Sequence, residues 1–429
     1  MEDKNKKAPP TKKTVPIKKR IKRGFDKYLE DRRKKLSEND IVFSESLNPE
    51  KPHNTVMARG GIDKWFLLIV LFLLAFGAIM SFSASSVYAA NKYGDSAHFF
   101  KRYIIFTVLS IIVFTPLVAF VTPRWWKIFG VSLYAGTVIL LLLVLVIGDT
   151  GGGAQRWIDL GFITIQPSEF AKVAIVMVLA LYMSKHQKEV TSTHLFGGSF
   201  KHGVLIPGCI IGLIIVLVAL EKHISGIIII GMIGISVMFM GGTRWKWIAL
   251  IIGVVALAAC GLVLVSSYAQ VRVSTWLNID AADPRGSAWQ TLQGLYAIGS
   301  GGLFGKGLGN SQQKYGYVSE PQNDFIFTII CEELGFVGAL LVVGLFGALI
   351  WRGFKIASHA PNNFCALVVY GLIFKTAIQA VLNIAVVTNS VPNTGVALPF
   401  FSSGGTALIL QIFEMAIILS ISRYSAVKK

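Results

Sequence analysis

Ten apolar segments constrain this chain more than any other feature, because each can cross the roughly 30 Å hydrocarbon layer of a bilayer. The 429 residues are 53% hydrophobic and only 15% charged, whereas soluble domains carry about 25% charged residues. We therefore predict an all-α polytopic membrane protein with about ten transmembrane helices and a long extracellular loop at 268–325. The segments lie at about 65–86, 100–121, 128–148, 168–184, 203–220, 224–240, 246–267, 326–351, 364–387 and 398–421.

The distribution of positive charge predicts the orientation of these helices. The first 64 residues contain 18 of the 41 Lys and Arg, and most of the others flank apolar segments in alternate loops. Loops rich in Lys and Arg face the cytoplasm. We expect a disordered basic cytoplasmic tail at 1–63, a membrane domain at 64–423 and a cytoplasmic C-terminus at 424–429.

Charge and cysteine content exclude two other kinds of site. The formal charge of +18 lies in the tail and beside apolar segments, not on one face of a folded polar domain. This pattern suits an anionic lipid surface and predicts no nucleic-acid partner. The cysteines lie within apolar segments without metal-ligand spacing, which predicts neither a disulfide nor a zinc site. They are Cys209, Cys260, Cys331 and Cys365.

Polar residues at the outer ends of several helices predict a functional site there. Ionisable groups near a membrane interior are costly unless they are paired or hydrated. Because Arg and Lys lie near helix N-termini, the site suits an anionic, phosphate-bearing ligand. The residues are Arg156, Asp159, Glu169, Lys172, Glu221, Lys222, His223, Asp324, Glu332, Glu333 and Ser402 to Gly405.

Structural roles stay open for several of these residues. Glu169 and Lys172 are three residues apart and could neutralise one another on one helix. Asp324 precedes an apolar segment and could cap its helix. Glu332 and Glu333 could pair with Lys375. The Gly-rich part of the 268–325 loop indicates a functional loop, and its aromatic residues predict partial helices.

Three motifs resemble those of the SEDS family (shape, elongation, division, sporulation). Their order and the ten segments fit this family over nearly everything after residue 62. Within the family, the segments around Asp63 and 313–317 are more similar to FtsW and its sporulation relative than to RodA. The motifs occupy 153–161 with 166–172, 301–309 with 320–327 and 332–335, and 392–395 with 399–405.

The resemblance implies a peptidoglycan glycosyltransferase that polymerises lipid II into β-1,4 glycan strands on the outer face of the bacterial cytoplasmic membrane. It also implies a class B penicillin-binding protein and other divisome proteins as partners, in division or sporulation. Asp324 matches the catalytic carboxylate, and we expect it to hold a divalent cation, Mg²⁺ or Mn²⁺. The predicted substrate-binding residues are Arg156, Gln166, Glu169, Lys172, Ser402, Ser403, Gly404 and Gly405.

This sequence departs from the family pattern in two regions. The family usually has a Pro-Asp-x-Gly-Thr sequence where this chain has Glu221 to Gly226. Ser403 stands where Tyr is common, and Asn323 stands where Thr is usual.

Two other functions stay open: a lipid II flippase or transporter, and a non-catalytic divisome scaffold. A transporter would line its path with polar groups on both sides of the midplane. Here they concentrate at the outer end, with Lys375 and Glu414 as the main deeper exceptions.

Overall fold

The structure of the chain is a computed structural model. The predicted tail lies mostly outside the described residues, as do Ser403 and Gly404 of the third motif. The described residues are 56–59, 61–151, 154–161, 164–192, 195–265, 267–279, 281–283, 286, 288–402 and 405–427.

Helices dominate the described part of the chain, as predicted. Eight helical stretches are long and apolar enough to cross a membrane, and two shorter apolar helices, Ile224–Met240 and Trp245–Leu257, complete the ten predicted segments. The helices are α1 Lys64–Tyr93, α2 His98–Phe120, α3 Pro123–Ile147, α4 Pro167–Lys185, α5 Ile206–Leu220, α6 Ile224–Met240, α7 Trp245–Val265, α8 Ser267–Leu277, α9 Trp289–Ser300, α10 Ile326–Ser358, α11 Asn363–Val387 and α12 Gly405–Ser422, with a one-turn helix Gln187–Val190 and a π-helical segment Leu195–Leu205 before α5.

Local capping chemistry sets several helix boundaries. The Asp63 carboxylate accepts a hydrogen bond from the N–H of Phe66 at 2.9 Å, which satisfies one of the free donors at the start of α1. Gly94 ends the same helix in the left-handed conformation, with φ of 70°. Asn362 caps α11 in the same way as Asp63, by accepting from the N–H of Cys365 at 2.9 Å.

The segments on either side of the membrane domain pair with one another. Strand β1, Val56–Arg59, is antiparallel to β5, Tyr424–Val427. The N–H of Asp63 also donates to the hydroxyl of Ser422 at 3.1 Å. Both ends of the membrane domain therefore lie on the same side. Within the predicted tail, residues 56–59 form this strand, and pairing satisfies their backbone groups; the rest of the predicted tail stays a prediction.

Burial separates central helices from peripheral ones. In the most apolar window, 83% of α12 and 72% of α4 is buried, against 22% for α2 and α3. The peripheral helices expose large apolar side chains such as Ile112 and Val146, as expected for contact with lipid. The two most buried helices, α4 and α12, both carry buried charged residues, so charged groups lie inside the bundle.

Two outer segments add further structure to the bundle. Between α3 and α4, strands β2 Asp149–Gly151, β3 Ala154–Asp159 and β4 Thr164–Ile165 form a small antiparallel sheet in the order β2-β3-β4. The predicted loop at 268–325 contains most of α8 and all of α9, which confirms the expected partial helices.

Candidate functional site

A break in α10 lies next to the glycine-rich segment. Gly335 has φ of 68° and ψ of −163°, which no helix accommodates. The break frees backbone groups, and these must find partners inside a membrane protein. The glycine-rich segment supplies them through four backbone hydrogen bonds: Lys306 N–H to Glu332 O (2.9 Å), Gly307 N–H to Glu333 O (3.0 Å), Phe336 N–H to Gly302 O (2.9 Å) and Val337 N–H to Leu303 O (3.1 Å).

These bonds require glycine because the two backbones almost touch. A Cβ on Gly301 would lie 1.9 Å from the carbonyl oxygen of Cys331, and one on Gly305 would lie 2.1 Å from that of Glu333. Gly305 also has φ of 77°, a conformation that other residues rarely adopt. The glycine run therefore supports a broken helix.

The side chains of Glu332 and Glu333 bind the same segment. Lys306 contacts the Glu332 carboxylate at 2.8 Å, and Lys314 contacts that of Glu333 at 3.1 Å. The hydroxyl of Ser83 in α1 donates to Glu333 at 2.6 Å. The alternative that they pair with Lys375 was wrong, because the loop folds back along α10 and brings its own lysines.

Asp324 lies just before α10 and is half-buried. Phe325 occupies the N-cap position of α10 without a side-chain hydrogen bond, so the capping alternative for Asp324 was wrong. Burial raises the pKa of the Asp324 carboxyl to about 6. Its own N–H and the guanidinium of Arg272 lower this pKa, and the carboxylate of Glu320 raises it.

Asn383 of α11 anchors the backbone at Asp324. Its amide group donates to the carbonyl of Asp324 at 2.6 Å and to that of Val396 at 2.7 Å. A Cβ on Gly395 would lie 3.4 Å from the Asp324 carboxylate, so the backbone of this glycine lies close to that carboxylate. Asn383 thus fixes the Asp324 segment against the loop between α11 and α12.

That loop, residues 388–402, is hydrogen-bonded to several other elements at its end of the bundle. Its carbonyl groups accept hydrogen bonds from four elements besides its own. The donors are the Arg272 guanidinium to Asn393 O, the Trp276 indole to Asn389 O (3.0 Å), the Ser225 hydroxyl to Thr394 O, the Asn383 amide to Val396 O (2.7 Å) and the Tyr103 hydroxyl to Phe400 O (2.6 Å).

Two buried ion pairs lie below this loop. Lys172 contacts Glu169 at 2.6 Å within α4, and Lys375 of α11 contacts Glu414 of α12 at 2.8 Å. This geometry bears out the neutralising role left open for Glu169 and Lys172. A cleft with an empty volume of about 320 Å³, partly open to solvent, lies between them; its polar lining is Glu169, Lys375, Gln379, Ser402 and Gln411.

Comparisons with known proteins identify the family that has this architecture. Residues 64–427 match the cell cycle protein family FTSW_RODA_SPOVE. The chain belongs to this family. Stage V sporulation protein E of Bacillus subtilis is 40% identical over 371 residues, 85% of this chain and 97% of that protein. A probable peptidoglycan glycosyltransferase FtsW of Trichlorobacter lovleyi is 38% identical over 84% of this chain and 93% of that one.

Solved structures carry the same fold. A chain of a peptidoglycan synthase complex that coordinates polymerization and crosslinking has a TM-score of 0.69 and 24% identity, over 84% of this chain and 98% of that chain. The rod shape determining protein RodA of Thermus thermophilus has a TM-score of 0.61 and 25% identity, over 84% and 97%. The ten-segment bundle is therefore the fold of the FtsW, RodA and SpoVE proteins.

In this family member, the predicted site residues of the first motif fall into two groups. Gln166, Glu169 and Lys172 are buried at the N-terminal end of α4. Arg156 is half-buried on β3, and its Nε atom is buried without a hydrogen-bond partner among the described residues. Arg156 is therefore better placed than Lys172 to bind an added anion, because Lys172 is already paired.

The structure describes only part of the third motif. Ser402 is buried and lines the cleft. Gly405 begins α12, and a Cβ there would lie 2.8 Å from the ring of Phe106, so this glycine allows close packing. Ser403 and Gly404 lie outside the described residues.

The turn that departs from the family pattern carries strongly perturbed groups. Burial raises the pKa of the Glu221 carboxyl to about 8, although the Arg156 guanidinium lowers it in part. Burial and the charges of Lys172 and Arg156 lower the pKa of His223 to about 4, although the Glu169 carboxylate acts in the opposite direction.

Sequence reasoning missed Asn383, Arg272 and Gln379 as site residues. Asn383 and Gln379 are polar residues within the apolar segment 364–387, and this was a usable signal. Arg272 gave no such signal, since it lies in an outer segment that also contains other charged residues.

Proposed function

We propose that this chain is a peptidoglycan glycosyltransferase that polymerises lipid II into β-1,4 glycan strands. The names of the FtsW relatives support the activity. The observation that carries the chemistry is Asp324, a half-buried carboxyl close to the backbone of Gly395, with its pKa raised to about 6. Such a group is ionised at neutral pH and is still basic enough to take a proton.

The reaction needs one base and no acid. The 4-hydroxyl oxygen of the acceptor sugar attacks the anomeric carbon of the donor, and the bond from that carbon to the polyprenyl diphosphate breaks. Asp324 takes the hydroxyl proton, and the diphosphate leaves with the bonding electrons. Diphosphate is a good leaving group that needs no protonation. Direct displacement inverts the α-linked donor to a β-1,4 product.

Cationic groups stabilise the charge that develops on the leaving diphosphate. Arg156 is the principal candidate because its Nε atom has no partner in the described structure. Lys172 contributes positive charge that Glu169 already offsets in part, at 2.6 Å. Gln166 and Ser402 add polar groups near the same outer ends, and Gly405 stands at the start of α12.

The carboxylates near Asp324 could hold a divalent cation only if phosphate oxygens of the substrate supplied further ligands. Among the described residues, no group of three or more His, Cys, Asp or Glu side chains is arranged so that it could hold a metal ion. Mg²⁺ commonly binds one or two carboxylates together with phosphate oxygens, and Mn²⁺ takes similar oxygen ligands. When bound, the cation would neutralise charge on the diphosphate. Asp324 would hold it, with Glu320 as the nearby second carboxylate.

The similar peptidoglycan synthase complex, which coordinates polymerization and crosslinking, supports a transpeptidase partner. We infer a class B penicillin-binding protein, together with other divisome proteins in division or sporulation. The location that follows is the bacterial cytoplasmic membrane, with both termini in the cytoplasm. The pairing of β1 with β5 supports termini on one side, and the positive charge of that side supports the cytoplasm.

Polymerisation by the purified complex tests this function. The chain is combined with its penicillin-binding partner, lipid II and Mg²⁺ or Mn²⁺, and glycan polymer is compared for wild type, Asp324→Asn and the control Asp95→Asn, which removes a carboxylate that pairs with the exposed Lys101. We expect Asp324→Asn to lose about 10²- to 10⁴-fold of the rate. The wild-type rate should fall as the pH drops below about 6, where Asp324 becomes protonated.

Other outcomes would favour the other functions. Equal polymer from wild type and Asp324→Asn would exclude Asp324 as the base. A complex that binds lipid II without making polymer would indicate a flippase, if it moves lipid II across vesicles, or a scaffold, if it does not.

A further inference from the structure

The turn between α5 and α6 contains a buried acidic group without a partner. Glu221 is 0% exposed, and neither of its carboxylate oxygens has a hydrogen-bond partner in the described structure. The Nδ1 atom of His223 and the Nε atom of Arg156 are likewise buried and unpartnered there. More than about 90% of buried polar groups are hydrogen-bonded, so three such side chains indicate a site that binds something polar.

The charges around Glu221 indicate what this site binds. Arg156 on β3 is close enough to lower the pKa of Glu221, and it also acts on His223. The Glu169–Lys172 pair of α4 interacts with His223 from a third element, and Lys222 of the same turn is exposed. The Glu169–Lys172 pair is close to neutral, and His223 is uncharged. Among the described residues around this turn, Arg156 is a cation whose Nε atom is buried without a partner, and this favours an anion.

We propose that Arg156, Glu221 and His223 form a subsite for the diphosphate of the lipid-linked donor, and that Glu221 admits this anion only in its protonated form. This inference rests on the proposed glycosyltransferase function. A protonated Glu221 has an O–H group that donates to a phosphate oxygen, while Arg156 donates from the other side. An ionised Glu221 repels the diphosphate and pairs with Arg156, so it competes with the ligand.

Glu221 changes its charge in a different pH range from His223 and Asp324. The pKa of Glu221 is about 8, whereas those of His223 and Asp324 are about 4 and about 6. Between pH 7 and pH 9, Glu221 is therefore the member of these three that changes its charge. A diphosphate that is esterified at both ends stays fully ionised over this range. If it binds only the protonated form, its affinity falls about tenfold from pH 7 to pH 9.

The pH dependence of KM for lipid II tests the proposal in the intact complex with the penicillin-binding partner. We expect KM of wild type to rise about tenfold between pH 7 and pH 9, while KM of Glu221→Gln stays flat because glutamine cannot ionise. The control Asp95→Asn removes an exposed outer carboxylate and should keep the wild-type slope. A flat wild-type profile, or the wild-type slope in Glu221→Gln, would overturn the proposal.

A binding measurement on wild type keeps the test independent of how well the variant folds. A geranyl diphosphate that is also esterified at its other end, and therefore stays ionised as the donor does, is titrated into the complex at pH 8.5 in buffers of different ionisation enthalpy. We expect uptake of roughly three quarters of a proton per site, since most Glu221 is ionised before binding at this pH. Binding without proton uptake, or no binding, would refute the subsite. Polymer made by wild type at pH 7 would leave the proposed function standing in either case.

Discussion

Removal of Lys375 should destabilise the fold strongly, because it would leave Glu414 alone in the bundle. Their side chains are 2% and 0% exposed, and Lys375 Nζ lies 2.8 Å from a Glu414 carboxylate oxygen. Lys375 also donates to the side-chain oxygen of Gln411 at 3.0 Å. Loss of one partner of such a buried pair costs about 3–5 kcal/mol, since the other charge stays desolvated. We expect this loss of unfolding free energy for Lys375→Met.

The assay is unfolding in mixed micelles by titration with sodium dodecyl sulfate, followed through the fluorescence of the nine tryptophans. The double variant Lys375→Met with Glu414→Met removes both charges and should recover to within about 1 kcal/mol of wild type or exceed it. Lys101→Met breaks a pair of the same 2.8 Å length whose side chains are 63% and 42% exposed, and it should cause no resolvable change. Equal loss in Lys101→Met and Lys375→Met, or no recovery in the double variant, would refute the reasoning from burial.

Two further predictions concern the outer segment at 301–309. Gly305→Ala places a Cβ 2.1 Å from the Glu333 carbonyl oxygen, at φ of 77°. The same assay should therefore show a loss of unfolding free energy of at least about 1–2 kcal/mol. The control Gly302→Ala, with open space around its Cβ and φ of 56°, should lose less. Leu308→Cys, at a residue 54% exposed, should react with an impermeant thiol reagent in intact spheroplasts when the native cysteines are replaced. Labelling only in permeabilised cells would reverse the proposed orientation.

Asp63 and Asn362 show why helix boundaries could be predicted. Their side chains bind N–H groups only three residues away, so this information is local in the sequence. The ten apolar segments are predictable for a similar reason: crossing the hydrocarbon layer needs an unbroken apolar stretch, whatever the neighbouring helices are. The sequence therefore determined the helix content, the order of the segments and the family motifs.

Ion-pair partners could not be predicted in the same way. Glu169 and Lys172 lie three residues apart on one helix, and their pairing could be expected from spacing. Glu332 pairs with Lys306 and not with Lys375, because the glycine-rich segment folds back along α10 and binds the backbone groups at the Gly335 break. That contact joins residues that are distant in sequence, so spacing carries no information about it.

The site itself was decided by tertiary structure. The sequence identified Asp324 through its motif, but its neighbours Asn383 and Gly395 come from another helix and loop. Burial of Glu221 without a partner depends on how the turn between α5 and α6 packs beside β3 and α4. The apolar pattern of a chain determines which segments enter the membrane. Which polar groups meet there, and how far their pKa values move, depends on packing between segments that the sequence order does not specify.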